Sequence, residues 1–482
     1  MKYRPTTCVW EITEGCNLRC RSCGLFRSDA LPDQLNSAEA FDLIDQIVEL
    51  DLRGVTLSGG EPLTRKDWSN LVKCLTDRGV ACNMITNGWS ITNDVAKQMK
   101  KNLISTVFIS IDGTKEVHDR IRKPGSYNRI EQGIKILKQE SINVGAVTTL
   151  SKQNINLLPQ IKDELIRMDV ALWHVQLSLP VEFTHHHEYH LLDPEDIISI
   201  LDFCHNTNKE GKIAISPTDC IGYYSNKELR TNPSTFNTID HQLWDGCKAG
   251  IHSFGILYNG DIVGCTSFRN REYIEGNIRE RTLRDIWEDN NHFLWRRNMS
   301  KDKLSGECGV CGYGSKCLGG CPYIRFSMDN TIYGENRYCI QNIGMKKFKE
   351  EIAKKNDTDE IFADAKNAEK NKDYQRMAML IDRYLQLDDS NVAEVWRMKG
   401  FADFQNGNYS MSEEANIQAL NINSNDINAK KCLALAIFRQ GKEIEGMKLL
   451  AEVAQIGDQD AIDKLEELKY GSMYRRRKYL NY

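Results

Sequence analysis

The sequence predicts an α/β protein: a parallel sheet with crossover helices, then a cysteine-rich segment, then an all-helical end. Three observations carry this. From the start to about residue 215, short β-like runs alternate six times with amphipathic helical patterns, the order of a parallel sheet. From about 240 to 350, glycine and cysteine are dense and regular elements short. Such a segment buries little apolar surface and needs inorganic ligation to hold its shape. From about 357 the pattern is purely helical and nearly free of cysteine.

Composition bounds the function. The 482 residues allow about three domains. With 41% apolar and 27% charged residues the chain is globular rather than disordered. A net charge of −4, from 63 basic and 67 acidic residues, advertises no nucleic-acid partner. No uninterrupted run of about 18 apolar residues exists, so no membrane span is expected. Residues 1–8 lack the apolar core of a signal peptide, and a cytoplasmic location is expected. Of 16 cysteines, three fall between Cys16 and Cys23 and seven between Cys247 and Cys339. In a reducing compartment such clusters are metal ligands or catalytic groups. Cys8, Cys74, Cys82, Cys204, Cys220 and Cys432 lie outside them and read as small buried hydrophobes.

The strands are expected at 8–13, 54–57, 81–86, 106–111, 143–149 and 173–178, with helices such as 37–50, 127–139 and 155–168 between them. In parallel sheets ligands sit at the carboxyl ends of the strands, and the motifs fall there. Cys16-Asn17-Leu18-Arg19-Cys20-Arg21-Ser22-Cys23 follows the first strand. Three thiolates on one loop can hold three irons of a cubane and leave the fourth open. The alternative is a zinc site, which wants a fourth ligand nearby. Ser58-Gly59-Gly60-Glu61-Pro62 follows the second strand. Its glycines allow close backbone approach to a ligand, and Glu61 offers an acceptor to an ammonium group. Thr86-Asn87-Gly88 follows the third strand. Ser110 and Asp112 end the fourth on one face, placed to accept from ribose hydroxyls.

In this order the motifs resemble the radical S-adenosylmethionine (SAM) superfamily over roughly residues 6–215. The resemblance implies a partial, TIM-like (β/α)6 barrel. It implies a 4Fe–4S cluster on Cys16, Cys20 and Cys23, and SAM contacts from Gly59, Gly60, Glu61, Asn87, Ser110 and Asp112. One departure is Ser22, where the family usually has a large residue near the adenine.

The second cysteine set runs Cys247, Cys265, Cys308, Cys311, Cys317, Cys321 and Cys339, and resembles the SPASM extension of radical enzymes. Two further 4Fe–4S clusters are implied, three in all. Cys308, Cys311, Cys317 and Cys339 would hold the distal one, and Cys247, Cys265 and Cys321 the nearer. Its fourth ligand is left open among Cys220, His241, a substrate group or none. Thr266 stands where sulfatase-maturing relatives carry a catalytic aspartate. A hydroxyl without an activating partner is a poor base, so sulfatase maturation is disfavoured and no catalytic base is assigned. The run Thr184-His185-His186-His187-Glu188-Tyr189-His190 is read as a solvated loop, with a substrate contact as the alternative.

Past residue 357, Asn371-Lys372-Asp373-Tyr374 and Asn406-Gly407-Asn408-Tyr409 recur at an offset of 35, with a third copy through Gln440-Gly441-Lys442. A period near 34 built of helix pairs resembles tetratricopeptide repeats; an ordinary helical bundle is the alternative. The expected domains are therefore 1–215, 216–350 and 357–470, with a basic tail at 471–482. The resemblance implies a 5′-deoxyadenosyl radical that abstracts hydrogen from a ribosomally made peptide, leaving a crosslinked or oxidised residue. The repeats would hold the peptide or protein, and a flavodoxin or ferredoxin would supply electrons. The alternative is a dehydrogenase or epimerase of a sugar or aminocyclitol, with the repeats forming a homodimer.

Overall fold

The computed structural model describes residues 3–20, 23, 29–180, 191–218, 221, 246–388 and 392–468. They fall into two compact units. One is Met1–Gly309 with Ser315–Ile343; the other is Val310–Gly314 with Gly344–Tyr482.

The first unit is built on a ten-stranded sheet. Its strands are β1 (Thr7–Thr13), β2 (Gly54–Gly59), β3 (Ala81–Thr86), β4 (Thr106–Ser110), β5 (Asn143–Leu150), β6 (Leu172–Leu177), β7 (Ala214–Pro217), β8 (Ser253–Ile256), β9 (Asp261–Val263) and β10 (Ile274–Asn277). They lie in the order β10-β9-β8-β1-β2-β3-β4-β5-β6-β7. From β8 through β1 to β7 every neighbour is parallel, while β8, β9 and β10 form an antiparallel meander. The six strands expected from the sequence are β1 to β6, each within about two residues. The sheet runs further at both edges.

Alternation along β1 shows how the sheet divides its residues. Cys8, Trp10 and Ile12 are buried in one core with Leu43, Ile44 and Ile47 of the Ser37–Glu49 helix. Side chains alternate across a strand, so Glu11 and Thr13 take the other face. Local chemistry starts the helices. Asn36 accepts from Glu39 N–H while Glu39 accepts from Asn36 N–H, a capping box. Thr92 caps the Asn93–Lys101 helix in the same way, through Val95 N–H.

The cysteine-rich segment departs from expectation in one respect. Its elements are short, as read, but it shares the core of the sheet. Phe254, Ile256, Ile262, Leu283, Trp287 and Phe293 belong to the same buried cluster as β1 to β6. Trp287 donates to Tyr3 O at 2.9 Å, and Leu283 N–H to Gln46 at 2.7 Å. The expected boundary at 215/216 falls inside β7, and residues 216–350 do not separate as a unit of their own. A four-residue strand completes an existing sheet edge at little cost, and that edge supplies the apolar surface the segment lacks.

The second unit is helical. Its paired helices are Thr358–Lys370 with Tyr374–Leu387, Ala393–Gln405 with Tyr409–Ile422, and Ile427–Arg439 with Glu443–Gln455. Both series of helix starts recur at 35 and then 34 residues: Thr358, Ala393, Ile427 and Tyr374, Tyr409, Glu443. A left-handed residue closes each first helix, namely Lys372, Gly407 and Gly441, as helix ends favour. The residue before it reaches back one repeat. Asn406 Nδ2 donates to Tyr374 O at 3.0 Å, and Gln440 Nε2 to Tyr409 O at 3.4 Å.

Two glycines of one helix pair separate backbone freedom from packing. A Cβ on Gly400 would lie 2.2 Å from Asn416 Nδ2, whereas one on Gly407 (φ +80°) meets nothing within 4 Å. Gly407→Ala is expected to cost about 1–2 kcal/mol through left-handed strain alone. Gly400→Ala must overpack the interface, at roughly 1–3 kcal/mol. Amide hydrogen exchange on the full chain checks this. Gly400→Ala should lower protection in both the Ala393–Gln405 and Tyr409–Ile422 helices, and Gly407→Ala chiefly at the turn.

Candidate active site

The carboxyl ends of β1, β2, β3 and β4 bring the predicted residues together. Cys16 and Cys20 follow β1 on the loop, and Cys23 N–H donates to Cys20 O at 3.2 Å. Cys16 Sγ accepts from Leu18 N–H at 3.4 Å and from Asn87 Nδ2 at 3.8 Å. Asn87 Nδ2 also donates to Asn17 Oδ1 at 2.7 Å, joining the β3 loop to the cysteine loop. Burial raises the Cys16 thiol, opposed by Leu18 N–H. It pushes Cys20 up to about 11 against the pull of Arg122.

The glycines pack closely against the chain itself. Gly60 N–H donates to Thr13 O and Glu61 N–H to Gly15 O, both at 2.8 Å. A Cβ on Gly60 would lie 2.3 Å from Glu14 O and 2.4 Å from Gly15 O; one on Gly59 (φ +128°) would lie 2.1 Å from Thr13 O. The close approach is thus to the chain's own cysteine loop. Glu61 is fully buried, and its carboxylate accepts from Asn87 N–H (2.7 Å), the Thr86 hydroxyl (2.7 Å) and Leu63 N–H (3.1 Å). Burial raises its pKa and these donors oppose the rise. Glu61 therefore clasps the β2 and β3 ends together.

Ser110 ends β4, half-buried. Asp112, two residues on, is almost fully buried. Its carboxylate accepts from Arg122 Nε (2.6 Å) and Thr149 N–H (3.0 Å), and its own N–H donates to His118 Nδ1 (3.1 Å). Burial works against the Arg122 charge, but Asp112, Cys20 and Cys23 hold it protonated. Arg122 is thus a cation beside the cysteine loop that the sequence reading missed; twelve residues past Ser110, it carries no local signal. Arg269 was missed as well. From the segment after Cys265 it pairs with Glu11 and, at 3.2 Å, with Glu14 of the β1 end.

Six of the second cysteine set lie in the first unit. Cys317 and Cys339 are buried and pack with Cys247 and Cys321. Cys308 is buried in a mainly aromatic cluster with Phe268 and Tyr273, against which Cys265 packs. The implied division into nearer and distal sets cuts across these two groups. Cys339 lies close enough to Cys317 and Cys308 that both raise its thiol pKa, which burial chiefly pushes up to about 12. Cys311 belongs to the second unit.

Among the described residues no three His, Cys, Asp or Glu side chains converge on one metal ion. The donor set fits a cubane. It is all thiol, and N–H groups already point at Cys16 and Cys308, as ligand sulfurs require. Cys8, Cys82, Cys204 and Cys432 are buried and Cys74 half-buried. Cys220, His241, Ser22, the 184–190 run and the basic tail lie outside the described residues.

Two expectations follow. Gly60→Ala sets a methyl against backbone oxygens that cannot yield, so iron bound after anaerobic reconstitution should fall well below wild type. The buried His118 and the half-buried His174 both have pKa values lowered to about 4, chiefly by burial. Unfolded, they titrate near 6.5, so the unfolded chain binds more protons between these values. Stability is then fully present above about pH 6.5 and falls as pH drops toward 4. His174→Gln should flatten that decline in a pH series of denaturant midpoints.

Residues 10–171 match the family model of the Radical SAM superfamily, and residues 247–312 that of the SPASM iron–sulfur cluster-binding domain. An AdoMet-dependent heme synthase of Methanosarcina barkeri is 28% identical over 354 residues, covering 72% of this chain and 99% of the relative. Mycofactocin maturase MftC of Mycolicibacterium smegmatis is 24% identical, over 73% of this chain and 86% of its own. The crystal structure of Streptococcus suis SuiB bound to precursor peptide SuiA shares the fold at a TM-score of 0.55 and 18% identity, covering 70% of this chain and 75% of that one. Both family matches fall on the cysteine loops described above, and the chain carries a radical SAM domain and a SPASM domain.

Proposed function

We propose that this radical SAM enzyme modifies a ribosomally made peptide, leaving a crosslinked or oxidised residue. The observation that carries this reading is the helical unit. The heme synthase relative is matched over nearly its whole length by 72% of this chain, so more than a quarter of this chain has no counterpart in it. Stacked helix pairs make extended surfaces suited to chains rather than small molecules. The mycofactocin maturase relative and the SuiB neighbour with its precursor peptide support the same class.

In this reading Cys16, Cys20 and Cys23 hold the first cluster, and the seven later cysteines hold two more. A bound cluster supplies the electron that cleaves S-adenosylmethionine reductively. The chain's own residues position that cofactor. The N–H groups of Gly60 and Glu61 already bond Thr13 and Gly15, so carbonyl oxygens are left to meet an ammonium donor. Arg122 offers charge to a carboxylate, and Ser110 an acceptor to ribose. The Glu61 and Asp112 networks keep these groups preorganised, so little ordering is needed on binding.

The second reading is a small-molecule reaction on a tetrapyrrole, sugar or aminocyclitol. The heme synthase relatives favour its tetrapyrrole form. Anaerobic reaction of the full chain with peptides encoded beside its gene separates the readings. A peptide loss of two mass units with one 5′-deoxyadenosine formed supports the first. Unchanged peptides, with turnover of a porphyrin or sugar, support the second. Cys16→Ala should abolish 5′-deoxyadenosine in either case.

A further inference from the structure

Cys308 receives two hydrogen bonds from a region not yet given a role. Asn336 N–H and Asn342 Nδ2 both donate to its Sγ at 3.4 Å. Asn342 is 3% exposed and Asn336 1%, so water does not compete for these bonds. The Asn342 amide also donates to Asn336 O at 2.9 Å. That second bond fixes its plane, so the remaining N–H is aimed at sulfur.

The surroundings make such donors consequential. Phe268, Tyr273, Trp295, Tyr323 and Phe326 form a contiguous aromatic wall, with ring centroids 4.5–6.0 Å apart. Cys308 and Cys265 pack on it. A cluster gaining one electron gains one negative charge. An apolar wall resists that charge and pulls the potential down, whereas N–H groups aimed at sulfur stabilise it and raise the potential.

We propose that Asn342 is a positioning residue that sets the reduction potential of the auxiliary cluster held by Cys308, through the N–H it directs at that sulfur. This rests on the reading above that Cys308 is a cluster ligand. The couple concerned is one-electron: the oxidised cluster takes one electron from the reductant, and no bond forms or breaks. The amide is held in this orientation by its second bond, to Asn336 O.

The test is a dithionite titration, followed by electron paramagnetic resonance, of full-length protein carrying Ala at Cys16, Cys20 and Cys23, so that only auxiliary clusters contribute. Asn342→Leu keeps size and removes both donors. One auxiliary signal should then be reduced about tenfold less at a fixed potential, a shift of about 59 mV to the negative, with the other unmoved. Unchanged midpoints at full iron content overturn the proposal. Should the Leu variant fail to load iron, Asn342→Ser, too short to reach Cys308, is held to the same expectation. Asn342→Gln, which keeps an amide donor, should restore part of the shift; a Gln variant as low as Leu would overturn the proposal. Cys308→Ala distinguishes the two layers. Loss of one cluster's iron with Asn342 inert sinks only the tuning role, whereas retention of all iron sinks the ligand assignment as well.

Discussion

The site depends on one contact, the docking of the β2 turn onto the loop that carries Cys16. Two peptide N–H groups, of Gly60 and Glu61, bond two carbonyls of that loop at 2.8 Å, and only glycine at 60 lets the chains come so close. The Glu61 carboxylate gathers Thr86, Asn87 and Leu63. Asn87 closes the circuit by bonding Asn17 and pointing at Cys16. Three strand ends are thereby held by short polar bonds in a dry setting, where such bonds are strong and an unmade one is costly. A cysteine loop has few apolar side chains with which to order itself, and this clasp supplies the order.

The cysteine-rich segment is ordered by a related principle, attachment to an edge. β8 pairs with β1 in parallel, so the segment continues the sheet that bears the first cysteine loop. Charged residues fasten the join. Arg269 meets Glu11 and Glu14, and Arg279 pairs with Glu39 at 2.7 Å. Arg297 lies 4.6–4.9 Å from the ring centroids of Tyr3, Trp287 and Phe293, where a guanidinium is attracted to the aromatic faces. The implied auxiliary ligands of the first unit are thus placed by the same body that places Cys16.

The parts legible in the sequence were those with local signatures. β1 to β6 announced themselves by apolar runs between helical patterns, and the repeats by the recurring Asn-Lys/Gly-Asp/Asn-Tyr turn. β7 to β10 did not, since three or four residues carry too little periodicity to stand out and their pairing is set by a distant edge. Motif residues were found where motifs lay, but bond partners are not written in a motif. Glu61 read as an acceptor for an ammonium group, and its carboxylate also takes three bonds from the chain's own donors. Arg122, Arg269 and Asn342 carry no flanking pattern at all. Each matters through what folding brings to it.

The helical unit is ordered differently again, by apolar cores of its own. Ile361, Met377, Ile381, Val395 and Met398 form one, and Ala434, Leu450 and Val453 another. Between them sit polar groups that a purely apolar interface would not need. Lys399 pairs with Asp403 and Asp382 at 3.0 Å, and Ser412 donates to Gly400 O at 2.7 Å. A buried pair of this kind adds little net stability, because desolvation offsets the attraction, yet it penalises any misaligned packing that leaves one partner alone. Helix pairs with repeated turns could slide by a turn at small apolar cost. The Lys399 pair and the Gly400–Asn416 contact, absent from the neighbouring pairs, resist that slip and make the middle pair distinct. A unit with its own apolar cores and a fixed register presents a surface of defined shape.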